Sequence, residues 1–181
     1  MNPLVNYFWP IFAVGIVCGL VAGVVGFRLR IVRRGSEPEF ARPPASKRRA
    51  AILGGLAAAV LLAALWHGPL GGANRFAGEV ESSARRALGY YEMTKVSARL
   101  HRSPLSRTLI LSGPADDFQT NELARLFSQL PGVSKAQWSD NDRGPPLISE
   151  AAAVSILGFL FGLLLAYLVE LRRRYNAQWT W

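Results

Sequence analysis

Three stretches of this chain, residues 1–27, 50–74 and 151–169, contain no Asp, Glu, Lys or Arg. That feature restricts the fold more than any other. About 20 consecutive apolar residues in a helix cover the ~30 Å hydrocarbon thickness of a bilayer. The expected spans are residues 8–27, 50–66 and 151–169. No Lys or Arg precedes the first of them, so it lacks the basic leader of a cleaved signal peptide and is expected to be an uncleaved anchor. The sequence predicts a membrane α-helical protein with three transmembrane helices plus a small α+β module, in the order α-β-β-α-β.

The formal net charge of +9 would suit a polyanion, but its placement argues against one. Residues 28–49 carry Arg28, Arg30, Arg33, Arg34, Arg42, Lys47, Arg48 and Arg49 against Glu37 and Glu39, and Arg172, Arg173 and Arg174 follow the third span. Nearly all of the excess flanks apolar segments, as the positive-inside rule describes. No nucleic-acid partner is expected. The rule assigns 28–49 and 170–181 to the cytoplasm. It places the N-terminus and residues 67–150 outside. The expected organisation is helix 1 within 1–27, a basic cytoplasmic loop at 28–49, helix 2 at 50–70, an exported module with its linker at 71–146, helix 3 at 147–169 and a cytoplasmic tail at 170–181. Tyr7, Trp9 and Trp66 would anchor the outer interface, and Tyr167, Tyr175, Trp179 and Trp181 the inner one.

The span interiors hold none of the ionisable groups that ion pathways and proton relays need, which disfavours a channel or transporter. The one cysteine, Cys18, has no disulfide or metal-ligand companion and counts as a small apolar residue. Small residues recur at helical spacing instead. Gly15, Gly19 and Gly23 form a double GxxxG with Gly26 nearby, and Gly158, Gly162 and Ala166 repeat the pattern. Such glycines clear a groove for another helix backbone. They predict either packing among the three helices or docking on another membrane protein.

Between the second and third spans the periodicity changes. Phe76, Val80, Ala84, Leu88 and Tyr91 recur at three- and four-residue spacing, predicting an amphipathic helix over 73–93. Val96, Ala98 and Leu100 alternate with Ser97, Arg99 and His101 as in a half-buried strand. A turn at Ser103-Pro104, a strand over 107–112 and a stop at Gly113-Pro114 follow. Asp116 or Asp117 is placed to cap a helix over about 117–130, with Phe118, Leu123, Leu126, Phe127 and Leu130 on its apolar face. Pro131-Gly132 ends that helix, and 133–138 is a short third strand. Residues 140–146 return to the membrane as a linker stiffened by prolines.

The run Leu109-Ile-Leu-Ser-Gly113, the amphipathic helix after it and the closing Leu130-Pro131-Gly132-Val133 with its strand resemble the BON domain, named for bacterial osmotic-shock and nodulation proteins. The resemblance covers residues 76–139 and departs from the usual form in Pro114 and in the single copy. It implies a non-catalytic module associated with envelope maintenance and with phospholipid or partner contact.

No catalytic set emerges from the residues themselves. Asp116-Asp117 is explained by helix capping and the helix dipole. His67 and His101 have no cysteine nearby, no serine in a nucleophile elbow and no zinc-ligand spacing. Gly68-Pro-Leu-Gly71-Gly72 lacks the Lys-Ser/Thr of a phosphate loop and is expected to be a hinge. No enzyme activity, cofactor, metal or small-molecule substrate is expected. Arg99, His101, Arg102 and Arg107 gather around the turn between the first two module strands, with Arg99 and His101 on one polar face by period-two alternation. They are the candidate contact for lipid or an acidic partner. The leading expectation is a membrane-anchored interaction protein. The alternative is an accessory subunit of a larger membrane complex, docked through Gly15, Gly19, Gly23, Gly158 and Gly162.

Overall fold

The computed structural model describes residues 2–28, 30–34, 37–41, 43–139 and 144–178. The anchors expected at Trp179 and Trp181 lie outside the described residues, as does Arg42. In chain order the elements are α1 (Pro3–Phe27), β1 (Arg30–Arg34), β2 (Glu37–Ala41), α2 (Ala45–His67), α3 (Gly72–Tyr90), β3 (Ser97–Arg102), β4 (Leu105–Ser112), α4 (Asp117–Ser128), β5 (Lys135–Gln137) and α5 (Leu147–Gln178). They form two compact units. One comprises Met1–Trp9 and Leu65–Ala151, the other Pro10–Ala64 and Ala152–Trp181.

Three helices are long and apolar enough to cross a membrane: α1, α2 and α5, the last over Leu147–Asn176. Each extends beyond the span expected from hydropathy. The charge-free window marks apolar residues, whereas helix propagation needs only good helix formers, and Ala45-Ser-Lys-Arg-Arg and Leu171-Arg-Arg-Arg qualify. In the unit holding most of these helices, Ala22, Ala59 and Phe159 form a buried cluster, with Cys18, Ile52, Leu56 and Leu163 packed against it. Ser155 Oγ donates to the Ala59 carbonyl at 2.9 Å, which satisfies a hydroxyl in an apolar setting. The segment expected to be a basic loop contains an antiparallel hairpin, β1–β2, in register from Arg30↔Ala41 to Arg34↔Glu37.

The other unit is the α+β module. Its sheet has the order β3-β4-β5. The β3–β4 pair is antiparallel, and β4–β5 is parallel, with α4 in the connection. The expected order α-β-β-α-β is present. Helix α3 buries Phe76, Val80, Ala84 and Leu88, one residue per turn, and the sheet buries Ala98, Leu100, Leu109 and Leu111. Helix α4 adds Leu123 and Phe127. It begins in a capping box, where Gln119 N–H donates to Asp116 Oδ1 at 2.7 Å and Asp116 N–H to Gln119 Oε1 at 3.1 Å. The expected capping role of Asp116 thus holds. Gly132 has φ +100°, and a Cβ there would lie 2.7 Å from Val80 Cγ2. Both backbone and packing require glycine at that turn.

Three expected core or face assignments are corrected. Tyr91 follows the end of α3 as its C-cap and is exposed. Phe118 is 75% exposed. At about 100° per residue, nine residues place it about 180° around α4 from Phe127. His101, expected on the polar face beside Arg99, is buried at 6% exposure. The β3–β4 register shifts between Leu100 and Arg102; this bulge adds a residue and breaks the two-residue alternation.

The module also recruits helix ends. Tyr7 is buried, its ring 5.5 Å from that of Phe76 and its hydroxyl 2.6 Å from His67 Nδ1. Leu147 and Ala151 are fully buried. Pro146, expected in the linker, bridges to Ser106. Gly68–Leu70, expected to hinge, form a turn in which Leu70 N–H donates to the Leu65 carbonyl at 3.0 Å and Gly71 N–H to that of Gly68 at 2.9 Å.

Candidate functional site

A groove of about 700 Å³ runs between the C-terminal half of α3 and strand β3. Its helix wall is set by four-residue spacing. Glu81, Arg85 and Gly89 lie one position beyond the buried stripe Val80, Ala84 and Leu88, so they border the core without entering it. A Cβ on Gly89 would meet nothing within 4 Å, and that wall is accordingly low. The other wall is the terminal strand of the sheet, with Ser97, Arg99 and Arg102 along it.

Polar contacts tie both ends of this groove. At one, the Val96 N–H donates to the Met93 carbonyl at 3.1 Å. At the other, the contacts are made by Glu81. Glu81 Oε1 accepts from the Leu100 N–H at 3.1 Å, and both its oxygens accept from Arg102 Nη2 at 3.0 and 2.9 Å. Glu81 is mostly covered and Arg102 half-exposed, so the carboxylate is largely spoken for. Arg85 and Arg99 are exposed and engage in no ion pair among the described residues. Positive charge remains in the groove once Glu81 and Arg102 have neutralised each other. Guanidinium groups in such a setting recognise carboxylate or phosphate by paired hydrogen bonds.

The four basic residues singled out by the sequence do not form one patch. Arg99 and Arg102 line the groove. His101 points into the protein and donates from Nδ1 to the Pro104 carbonyl at 2.9 Å. Arg107 lies elsewhere in the module, donating from Nε to the Gly132 carbonyl at 3.2 Å and from Nη1 to Glu150 Oε2 at 3.2 Å. Its role is to tie β4 to the turn after α4 and to the first turn of α5. Arg85 was missed by the sequence reading. The signal for it was the stripe Glu81-Arg85-Gly89 bordering a buried one.

The glycine motifs meet each other. A Cβ on Gly15 would lie 2.5 Å from the Ser155 carbonyl oxygen and 3.2 Å from the Gly158 Cα. One on Gly158 would lie 2.5 Å from the Phe12 carbonyl oxygen. Gly19 and Gly162 are closer still, each facing the backbone of the opposite helix at Phe159 and Ile16, and a Cβ on Gly23 would overlap that of Ala166. The grooves on α1 and α5 thus receive one another, as in close small-residue helix packing.

No family model, curated protein or solved structure matches the chain.

Among the described residues, no group of three His, Cys, Asp or Glu is placed to hold a metal ion. His67 is engaged by Tyr7, and the Asp116 carboxylate by its own helix. A smaller cavity, about 160 Å³, lies at the start of α3 beside Asn6, Trp66 and Arg75. In the α3–β3 groove the exposed polar groups without an ion-pair partner are Arg85 and Arg99.

Proposed function

We propose that the chain is a non-enzymatic, membrane-anchored interaction protein. Its three apolar helices hold it in a bacterial inner membrane with the N-terminus outside, and its BON-like periplasmic module contacts an envelope component, lipid or partner protein. The observation that carries this reading is the groove beside the terminal strand, where Arg85 and Arg99 stand uncommitted. The basic flanks after the first and third spans support the orientation. An accessory subunit docked through glycine-lined helices is less favoured, because those glycines already pack against each other.

The test is site-specific photo-cross-linking of the full chain in native membranes. A photoreactive side chain at Arg99 is expected to give a discrete adduct, and one at the exposed Ser128 none. Adducts formed from Leu61 on the exposed side of α2, with none from position 99, would move the function to the helices. Orientation is checked in a Cys18→Ala background. A cysteine at Ser97 should react with an impermeant maleimide from outside, and one at Lys47 should not; the reverse pattern overturns the topology.

A further inference from the structure

We infer that the cavity at the start of α3 seats the headgroup of a zwitterionic phospholipid, a phosphodiester carrying a primary ammonium. This deepens the reading of the chain as a membrane-anchored interaction protein and rests on it.

Hydrogen-bond donors gather at one end of this cavity. The first N–H groups of a helix have no intrahelical acceptor. In α3, the Gly71 N–H bonds to the Gly68 carbonyl at 2.9 Å and the Arg75 N–H to that of Gly71 at 3.0 Å. The N–H groups of Gly72, Ala73 and Asn74 are left without an acceptor among the described residues. The N-cap, Gly71, has no side chain to offer them, and the first turn holds no acidic residue. A helix start of this kind favours an anion. A second donor, independent of the helix, stands beside it. Trp66 Nε1 is buried and has no hydrogen-bond partner among the described residues. It lies against the first residue of α3, since a Cβ on Gly72 would be 2.7 Å from it. A buried donor left unpaired costs about 1–3 kcal/mol, a cost that a ligand oxygen removes. Arg75 is exposed and in no ion pair among the described residues. Trp66, Gly72 and Arg75 all line the cavity.

The opposite rim selects the ligand. Glu79 also lines the cavity. Its carboxylate accepts long hydrogen bonds from Asn6 Nδ2, at 3.5 and 3.3 Å, and takes part in no ion pair among the described residues. Arg75 and Glu79 are four positions apart, a spacing at which helical side chains can meet, yet they stand unpaired around the same space. A simple anion would suit Arg75 and be repelled by Glu79, and a simple cation would meet the reverse. A zwitterion suits both, and an ammonium with hydrogens donates to the carboxylate as a quaternary one cannot. The volume of about 160 Å³ exceeds the ~30 Å³ share of a single water. Location supplies the lipid. Tyr7 and Trp66 on the cavity wall belong to the ends of α1 and α2, two helices long and apolar enough to cross a membrane. Trp and Tyr at such ends sit at headgroup level.

The test uses the full chain in mild detergent, stripped of lipid and mixed with equal amounts of phosphatidylethanolamine, phosphatidylcholine and phosphatidylglycerol of the same acyl chains. Retained lipid is read by native mass spectrometry. Phosphatidylethanolamine is expected to be retained in preference to the other two. Arg75→Gln should lower its retention about tenfold, through loss of a charge-assisted bond. Trp66→Phe, which keeps an aromatic ring and removes the N–H, should lower it about threefold. Glu79→Gln should abolish the preference for the ethanolamine lipid and raise retention of phosphatidylglycerol. Arg99→Gln, in the α3–β3 groove, should change nothing. Arg75 and Glu79 are exposed, so their variants leave the core intact, and exchange protection at the Val80 amide checks this. Equal retention of the three lipids by the unaltered chain overturns the inference, as does unchanged retention in both Arg75→Gln and Glu79→Gln. Release of the bound lipid by millimolar inorganic phosphate would show a free-phosphate site and overturn the lipid assignment. If no lipid is preferred while the position-99 adduct and the maleimide pattern hold, this inference falls and the interaction reading stands.

Discussion

The two units of this chain solve the problem of a core in opposite ways. The α+β module fills its interior with large side chains, among them Phe76, Leu100, Leu109 and Phe127. The helical unit buries mainly small residues, Ala22, Ala59, Ala63, Ser155 and Ala166, with Ile11, Phe159 and Glu170 as larger exceptions, and brings Gly15 and Gly19 onto Gly158 and Gly162. Large apolar side chains gain most when the alternative is water. Where the surroundings are as apolar as the side chains themselves, that gain disappears, and close backbone approach through small residues takes over. The small-residue core belongs to the unit holding most of the three helices that are long and apolar enough to cross a membrane. The module buries its large apolar side chains, whereas the helical unit leaves long apolar faces exposed, such as Leu53 and Leu61 on α2.

The contrast can be broken at several points. Phe127→Ala should cost the module about 3–5 kcal/mol through lost burial and the cavity left behind. Hydrogen exchange should then rise across β4 and α4 while the glycine-lined stretches of α1 and α5 stay protected. If both rise together, the two units are not energetically distinct. Gly19→Leu should destabilise the helical unit by about 1–3 kcal/mol, the usual cost of overpacking. The native thiol reports on it, since Cys18 packs against the buried cluster there. Maleimide labelling of Cys18 in detergent should become several-fold faster, and an unchanged rate would refute the backbone contact. A double-mutant cycle on Arg107 and Glu150, whose side chains are both about three-quarters covered, should return a coupling of roughly 1 kcal/mol in urea or thermal unfolding. The finest test compares neighbours. A Cβ on Gly55 would lie 2.6 Å from that of Ala22, whereas one on Gly54 meets nothing within 4 Å. Gly55→Ala should therefore destabilise, and Gly54→Ala should stabilise by up to about 1 kcal/mol through helix propensity. Equal melting shifts of one sign would contradict the packing described.

Much of this architecture is legible in the residues. Long charge-free windows reveal the three apolar helices, and the change of period after Ala73 reveals the module and its element order. What escapes has identifiable physical causes. His101 is misplaced because a bulge resets parity, and no period-two reading can anticipate one added residue. Phe118 is misplaced because an apolar residue near a helix start looks like part of the face until its angle to Phe127 is worked out. The β1–β2 hairpin is obscured by its arginines, which draw attention to charge, although Ile31-Val32 and the Gly35-Ser36 between the strands carry a hairpin signal. The site is half legible. Arg99 and Arg102 stand out by charge. Arg102 and Arg107 are nevertheless committed to Glu81 and Glu150, and sequence spacing does not show which ion pairs will form.

Tyr7, Phe76, Arg107 and Glu150 belong to one folded body although Tyr7 and Glu150 are more than 140 positions apart in the sequence. During synthesis, therefore, the module cannot finish when its own strands emerge. It must wait for the first turn of α5 to supply Leu147 and Glu150, and it must keep the start of α1 within reach. A fragment cut at 71 and 146 would expose the surface that Tyr7 and Leu147 cover and would leave Arg107 without its carboxylate. Maturation of the module thus certifies that the start of α1 and the start of α5 have reached the same place.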